Sequence, residues 1–153
     1  MRALVFDDGL KAVDLPIPER DKGQALIRVD LAGICNTDVE VTRGYLAYRG
    51  IMGHEFVGRV EDADNARLIG KRVVGEINIT CGECGICRSG NPRHCERVKA
   101  VGINGWQGCL ADYVVLPERN LHIVPDSVTD RQAVFVEPLA AGLEILEQVH
   151  VRP

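Results

Sequence analysis

Aromatic residues are scarce in this 153-residue chain, at 5% of the total. Clustered positive charge is missing too: the net charge is −4, and no long run of Lys and Arg offers a face to nucleic acid. No apolar run approaches the roughly 20 residues needed to span a bilayer. The N-terminal stretch from Met1 to Asp8 turns acidic after four apolar residues, too soon for a signal peptide. The expected setting is therefore cytoplasmic and reducing, with neither membrane nor nucleic acid as partner. Internal repeats and low-complexity segments are absent as well. So is any G-x-G-x-x-G after a strand, the turn that seats a dinucleotide pyrophosphate.

What the chain does have is aliphatic: 46% of its residues are apolar, chiefly Val, Ile, Leu and Ala, enough for one domain with a real core. Short strands bounded by turn residues are expected at Ala3–Phe6, Ala12–Leu15, Gln24–Ala32, Phe56–Glu61, Arg72–Val74, Glu76–Ile79, Leu110–Leu116 and Leu121–Val124. That spacing predicts a mainly β, barrel-like core. Pro16 and Pro18 remove ladder donors, so Leu15 to Pro18 reads as an extended linker. Residues 35–41 read as a short helix capped by Asn36 or Thr37, with Asp38 in its first turn. After Asp126 the pattern turns helical, over Thr129–Val134 and then 139–149, with Pro138 near the start of the second helix and His150 at its end. Leu139, Leu143 and Leu146 form one stripe of that helix, which implies a partner surface, either the barrel or something outside this chain.

Four of the six cysteines, Cys81, Cys84, Cys87 and Cys95, stand as C-x₂-C-x₂-C-x₇-C in a Gly-, Pro- and charge-rich stretch with no core of its own. In a reducing compartment such clustering points to metal ligation, and four thiolates suit a tetrahedral zinc. The first three cysteines share the C-x₂-C-x₂-C run of an iron–sulfur site, but here the fourth lies beyond seven intervening residues and is not followed by proline. His94 would be superfluous in a completed tetrahedron and reads as a solvated loop residue. Cys109 has no partner and reads as an ordinary strand or loop residue.

A second set is quieter. Cys35 follows Gly33-Ile34, His54-Glu55 precedes a strand, and Glu137 stands in Phe-Val-Glu-Pro-Leu between two predicted helices. One Cys, one His and one or two carboxylates match the mixed ligand sets of open catalytic zinc sites. Taken singly, His54 also reads as a structural histidine and Cys35 as a buried apolar residue.

Together, Gly33-Ile-Cys35-Asn-Thr37-Asp38, Gly53-His54-Glu55-Phe-Val-Gly58, the four-cysteine lobe, Ala111-Asp-Tyr113 and Glu137-Pro-Leu-Ala resemble, in order and spacing, the zinc-dependent alcohol and polyol dehydrogenases of the medium-chain dehydrogenase/reductase family. The resemblance covers essentially the whole chain. It implies a GroES-like, partly open β-barrel over residues 1–153, with a structural-zinc lobe at 80–97 and a terminal helix at 139–149. That helix would lead toward an absent Rossmann domain, with Val151-Arg-Pro153 as the lead-in.

It further implies that Cys35, His54 and Glu137 bind a catalytic zinc, with Glu55 joining them or standing just behind. Thr37 would pass the substrate proton outward, and Asp38 would hydrogen-bond His54. Cys81, Cys84, Cys87 and Cys95 would hold the structural zinc. The implied chemistry is hydride transfer between a secondary alcohol, polyol or sugar and NAD or NADP, in a longer chain that is a homo-oligomer; the fragment alone would be inactive. Asn36 stands where some relatives carry an arginine facing the cofactor pyrophosphate. Tyr45, Tyr48 and Trp106 could line a substrate cleft or simply pack loops on the barrel. A non-catalytic, zinc-stabilised interaction module is the alternative reading.

Overall fold

The computed structural model describes residues 1–149. Expectations for His150 and for Val151 to Pro153 fall outside the described residues. The elements run β1 (Arg2–Phe6), β2 (Leu10–Asp14), β3 (Gln24–Ala32), α1 (Asn36–Thr42), β4 (Gly50–Ile51), β5 (Phe56–Ala63), β6 (Arg72–Gly75), β7 (Asn78–Ile79), α2 (Gly85–Arg88), β8 (Lys99–Val101), β9 (Gly105–Trp106), β10 (Tyr113–Pro117), β11 (Leu121–Ile123), α3 (Asp130–Ala133) and α4 (Val136–Gln148).

The core is a five-stranded sheet in the order β10-β3-β5-β6-β11, and all its described pairings are antiparallel. Alternation explains which side faces in: Ala25 and Ile27 of β3 are fully buried while Arg28, the next residue on the strand, is exposed. They meet Val60, Val73, Val114 and Leu116 in the main apolar cluster. Two smaller sheets flank it, β2-β1-β4 and β7-β8-β9. All three are open, so the expected barrel is a partly open one made of separate sheets.

Of the boundaries that differ from expectation, three have plain physical reasons. The strand expected at Leu110–Leu116 starts at Tyr113, because Leu110 and Ala111 are drawn off to other strands. The Leu110 carbonyl accepts from Leu4, its N–H donates to the Met52 carbonyl, and Ala111 bridges Ala3. Glu76 leaves the predicted strand because its N–H pairs with the Asn120 carbonyl. α4 begins at Val136, three residues early, since a proline in the first turn lacks only an N–H that would have no helical partner. Glu137 therefore sits in the first turn of α4 rather than between helices.

The stripe on α4 does not face the barrel. Leu139, Leu143 and Leu146 are 61%, 52% and 59% exposed, with Ile145 beside them at 56%.

Candidate functional site

Cys35 caps α1, in place of the expected Asn36 or Thr37. Its backbone is extended (φ −82°, ψ 155°), and its sulfur accepts from the Thr37 N–H at 3.5 Å. Asp38 completes the turn, its Oδ2 accepting the Cys35 N–H at 2.9 Å. The cap thus fixes the direction of Sγ, which lies 3.6 Å from the Thr37 hydroxyl. Asp38 is only 4% exposed, and its other oxygen accepts the Gly53 N–H at 3.2 Å. One carboxylate therefore ties the Cys35 turn to the segment carrying His54 and Glu55.

That segment, 52–55, runs between β4 and β5 and is stitched to its neighbours through its backbone. The Met52 carbonyl accepts from Leu110, the Gly53 carbonyl from Cys109, and the Glu55 carbonyl from Gly33. Gly53 has φ +89°, which disfavours any side chain there. Gly102 and Gly108 press on it so closely that a Cβ at either would fall 2.2 Å from the Gly53 or Met52 carbonyl oxygen. Fully buried Cys109 completes the bed, its thiol turned to the Glu55 carbonyl at 3.6 Å. Burial, with Asp38 and Glu55 nearby, holds that thiol well above its usual range. Gly102, Gly108 and Cys109 were not singled out as site residues from sequence; the glycine-rich run 102–108 was their one signal.

The donor atoms of Cys35, His54 and Glu55 lie within 4.8 Å of one another, and His54 and Glu55 are buried. Buried His54 Nδ1 makes no well-formed hydrogen bond; Asp38 Oδ1 is 3.4 Å away. Burial opposes charge on this ring, but Asp38 and Cys35 beside it outweigh that and raise its pKa to about 9. Glu137 lies outside the 4.8 Å group but within its electrostatic reach. Burial raises the Glu137 pKa, His54 lowers it, and Glu55 and Glu76 raise it. A thiolate, an imidazole and a carboxylate converging in a buried place, with a second carboxyl near, fit a zinc ion as donor set and as charge balance.

Far along the chain, the four lobe cysteines also converge within 4.8 Å, all as free thiols. Cys81 Sγ is 3.8 Å from that of Cys87 and 3.5 Å from that of Cys95. A tetrahedron with Zn–S bonds of about 2.3 Å has edges of about 3.8 Å, so the set needs little rearrangement to hold zinc. Backbone N–H groups already face the sulfurs: Cys81 and Arg97 donate to Cys95, Cys84 to Cys81, and Cys87 to Cys84, at 3.3–3.4 Å. N–H groups of Glu83 and Cys84 carry the Cys81 pKa down to about 6. Arg97 adds its guanidinium, 3.5 Å from Cys81 Sγ and 2.9 Å from Glu83. Buried Asn120 anchors the way in, donating to the Glu76 and Asn78 carbonyls at 2.8 and 3.1 Å.

The remaining candidates separate. His94 and His122 are exposed, as expected, and so is Asn36. Tyr48 is buried; its hydroxyl bonds to the Ile51 and Trp106 carbonyls, which makes it a loop staple. It still shares a groove of about 510 Å³ with Trp106, while Tyr45 is 67% exposed.

Residues 21–126 match the model of the alcohol dehydrogenase GroES-like domain. The L-threonine 3-dehydrogenase of Chelativorans sp. (strain BNC1) is 38% identical over 151 residues, covering 91% of this chain and 44% of that protein. The chain thus spans less than half the length of the curated relatives it matches. Among solved structures, one described as a short chain alcohol dehydrogenase of Escherichia coli CFT073, complexed with NADH, superposes with a TM-score of 0.90. It is 28% identical, over 97% of this chain and 45% of that one. A zinc-binding dehydrogenase of Sinorhizobium meliloti 1021 bound to NADP gives 0.87 at 29% identity, over 99% of this chain and 46% of that one.

Proposed function

The chain belongs to the family of alcohol dehydrogenase GroES-like domains, the N-terminal part of zinc-dependent medium-chain dehydrogenases/reductases, and we propose that it is the catalytic domain of an NAD- or NADP-linked enzyme oxidising a secondary alcohol, polyol or sugar to its carbonyl compound. The convergence of Cys35, His54 and Glu55 carries the reading, because three unlike ligands from two separate segments meet in a buried place. L-Threonine, whose β-hydroxyl is a secondary alcohol and which relatives carry in their names, heads the list of substrates to try.

Cys35, His54 and Glu55 would hold the catalytic zinc, with Glu137 near enough to feel the charges of His54 and Glu55. When bound, zinc supplies a Lewis acid that makes an alcohol hydroxyl acidic near neutral pH. Thr37, with its hydroxyl beside Cys35 Sγ, takes the substrate proton and hands it outward. Asp38 holds the Cys35 turn and faces His54 Nδ1, which leaves Nε2 as the ligating nitrogen. A nicotinamide cofactor, when bound, would supply the acceptor for the hydride lost from the carbinol carbon.

Residues 1–153 then form one catalytic domain, with lobe 80–97 holding a structural zinc and α4 leading outward. On this reading the exposed stripe on α4, which with the missing G-x-G-x-x-G motif favours an interaction module, would instead pack against the rest of a longer, oligomeric enzyme. Six free thiols suit a cytoplasmic, reducing setting. Metal analysis of the purified chain should approach two zinc per chain, and a reproducible value near zero would refute the proposal. The longer enzyme, assayed with each cofactor on a panel of alcohols, polyols and sugars, identifies the substrate.

A further inference from the structure

We propose that Gly33 is a positioning residue for the second metal site: it is glycine because its missing side chain is the space in which the Glu55 carboxylate stands. The inference rests on the proposal that Cys35, His54 and Glu55 hold zinc.

Gly33 follows β3, and Glu55 precedes β5. The register that pairs Ala32 with Phe56 sets Gly33 opposite Glu55, and the Gly33 N–H donates to the Glu55 carbonyl at 2.8 Å. Opposite residues of an antiparallel pair project to the same side. A Cβ built on Gly33 would stand 2.4 Å from Glu55 Oε2, 3.1 Å from its Cβ and 3.4 Å from its Cδ.

Glycine is not needed here for the backbone. Gly33 is not among the glycines with positive φ, unlike Gly53, so an L residue fits its main chain without strain. Space is what remains. Of the three near atoms, the closest is the end of a side chain with three torsions, whereas the strand behind it is held by the β3–β5 ladder. An added methyl therefore turns the carboxylate aside before it moves the strand. Since Glu55 Oε belongs to a group whose donors all fall within 4.8 Å, that turn takes a ligand out of the set.

The test is zinc binding by the purified chain, with stoichiometry and affinity read by competition against a chromogenic chelator and fold checked by circular dichroism. The lobe zinc serves as internal control. Wild type should take up two zinc; one only, at the lobe, would overturn both the catalytic-zinc reading and this one. If wild type takes up two, Gly33→Ala should keep the lobe zinc at wild-type affinity and bind the second at least tenfold more weakly. The double variant Gly33→Ala/Glu55→Asp, whose shorter arm clears the methyl, should recover part of that loss. Wild-type affinity for the second zinc in Gly33→Ala, or no recovery in the double variant, overturns the role of Gly33. If Gly33→Ala does not fold, Gly33→Ala/Glu55→Ala decides: folding supports a clash with the carboxylate, and failure to fold overturns it.

Discussion

Asp38→Ala removes the one side chain that holds both halves of the proposed catalytic site. In the native structure its carboxylate accepts the Cys35 N–H at 2.9 Å and the Gly53 N–H at 3.2 Å, and it is 4% exposed. Hydrogen bonds to a charged partner contribute about 1.5–3 kcal/mol each, and a donor left buried without a partner loses a similar amount. Two such contacts give about 3–6 kcal/mol. The longer bond brings this down to or below the bottom of that range, and so does relief of the desolvation that the buried carboxylate itself suffers. The expected loss is about 2–3 kcal/mol of unfolding free energy. For a domain of this size it corresponds to a melting temperature lower by roughly 5–12 °C. Zinc at Cys35, His54 and Glu55 should weaken about 10–100-fold, as loss of a residue that orients a ligating histidine typically does. Asp38→Asn keeps one acceptor and should fall between. Urea unfolding gives the first quantity and chelator competition the second. A stability change within about 0.5 kcal/mol, or a second zinc bound as in wild type, would refute the bridging role.

Other consequences are simpler to state. Because His54 in the metal-free protein has a pKa of about 9, above the ordinary 6.5, zinc entry near pH 7 must expel its proton. Affinity at this site should rise about tenfold per pH unit from 7 to 9 on this account and level off above; a flat profile in chelator competition contradicts it. Without metal, the raised pKa contributes stability that is full below pH 6.5 and lost as pH climbs through about 9. Removing the lobe zinc, or replacing Cys95 with Ser, should abolish amide protection across residues 81–95 while β3 and β5 stay protected in hydrogen exchange. Arg97→Ala takes away the guanidinium at Cys81 and Glu83 and should speed zinc release to a chelator several-fold; an unchanged rate would deny it a role. Leu143→Gln with Leu146→Gln should change stability by less than about 1 kcal/mol, since neither side chain packs on the barrel.

Local chemistry made the lobe easy to read. C-x₂-C-x₂-C-x₇-C closes within fifteen residues, so its spacing already limits how far apart the sulfurs can be, and their observed convergence needs no distant element. Strand β3 was equally plain, because its Ala25–Ile27 alternation is a property of the strand alone. Leu110 was the opposite case. Its apolar run with the following residues is strand-like, yet its backbone is claimed by Leu4 and Met52, more than fifty residues away. The helix cap at Cys35 was missed because cap preferences favour oxygen side chains, whereas here a sulfur takes the N–H.

The catalytic set was nameable but not derivable, and the difference lies in register. Cys35 and His54 are nineteen positions apart, and nothing in either neighbourhood says that they meet. What brings them together is the pairing of β3 with β5, which carries two register shifts, between Leu26 and Ile27 and between Val29 and Leu31. Each shift offsets the pairing by one residue, and a one-residue slip turns every side chain on a strand to the opposite face. Had the second shift been absent, Gly33 would face a residue other than Glu55, and the carboxylate would have no vacant space to occupy. Motif order could suggest that Gly33-Ile-Cys35 and Gly53-His54-Glu55 belong to one site. The bulge between Val29 and Leu31 undoes the shift between Leu26 and Ile27, and so restores the register that sets the glycine of one motif opposite the glutamate of the other.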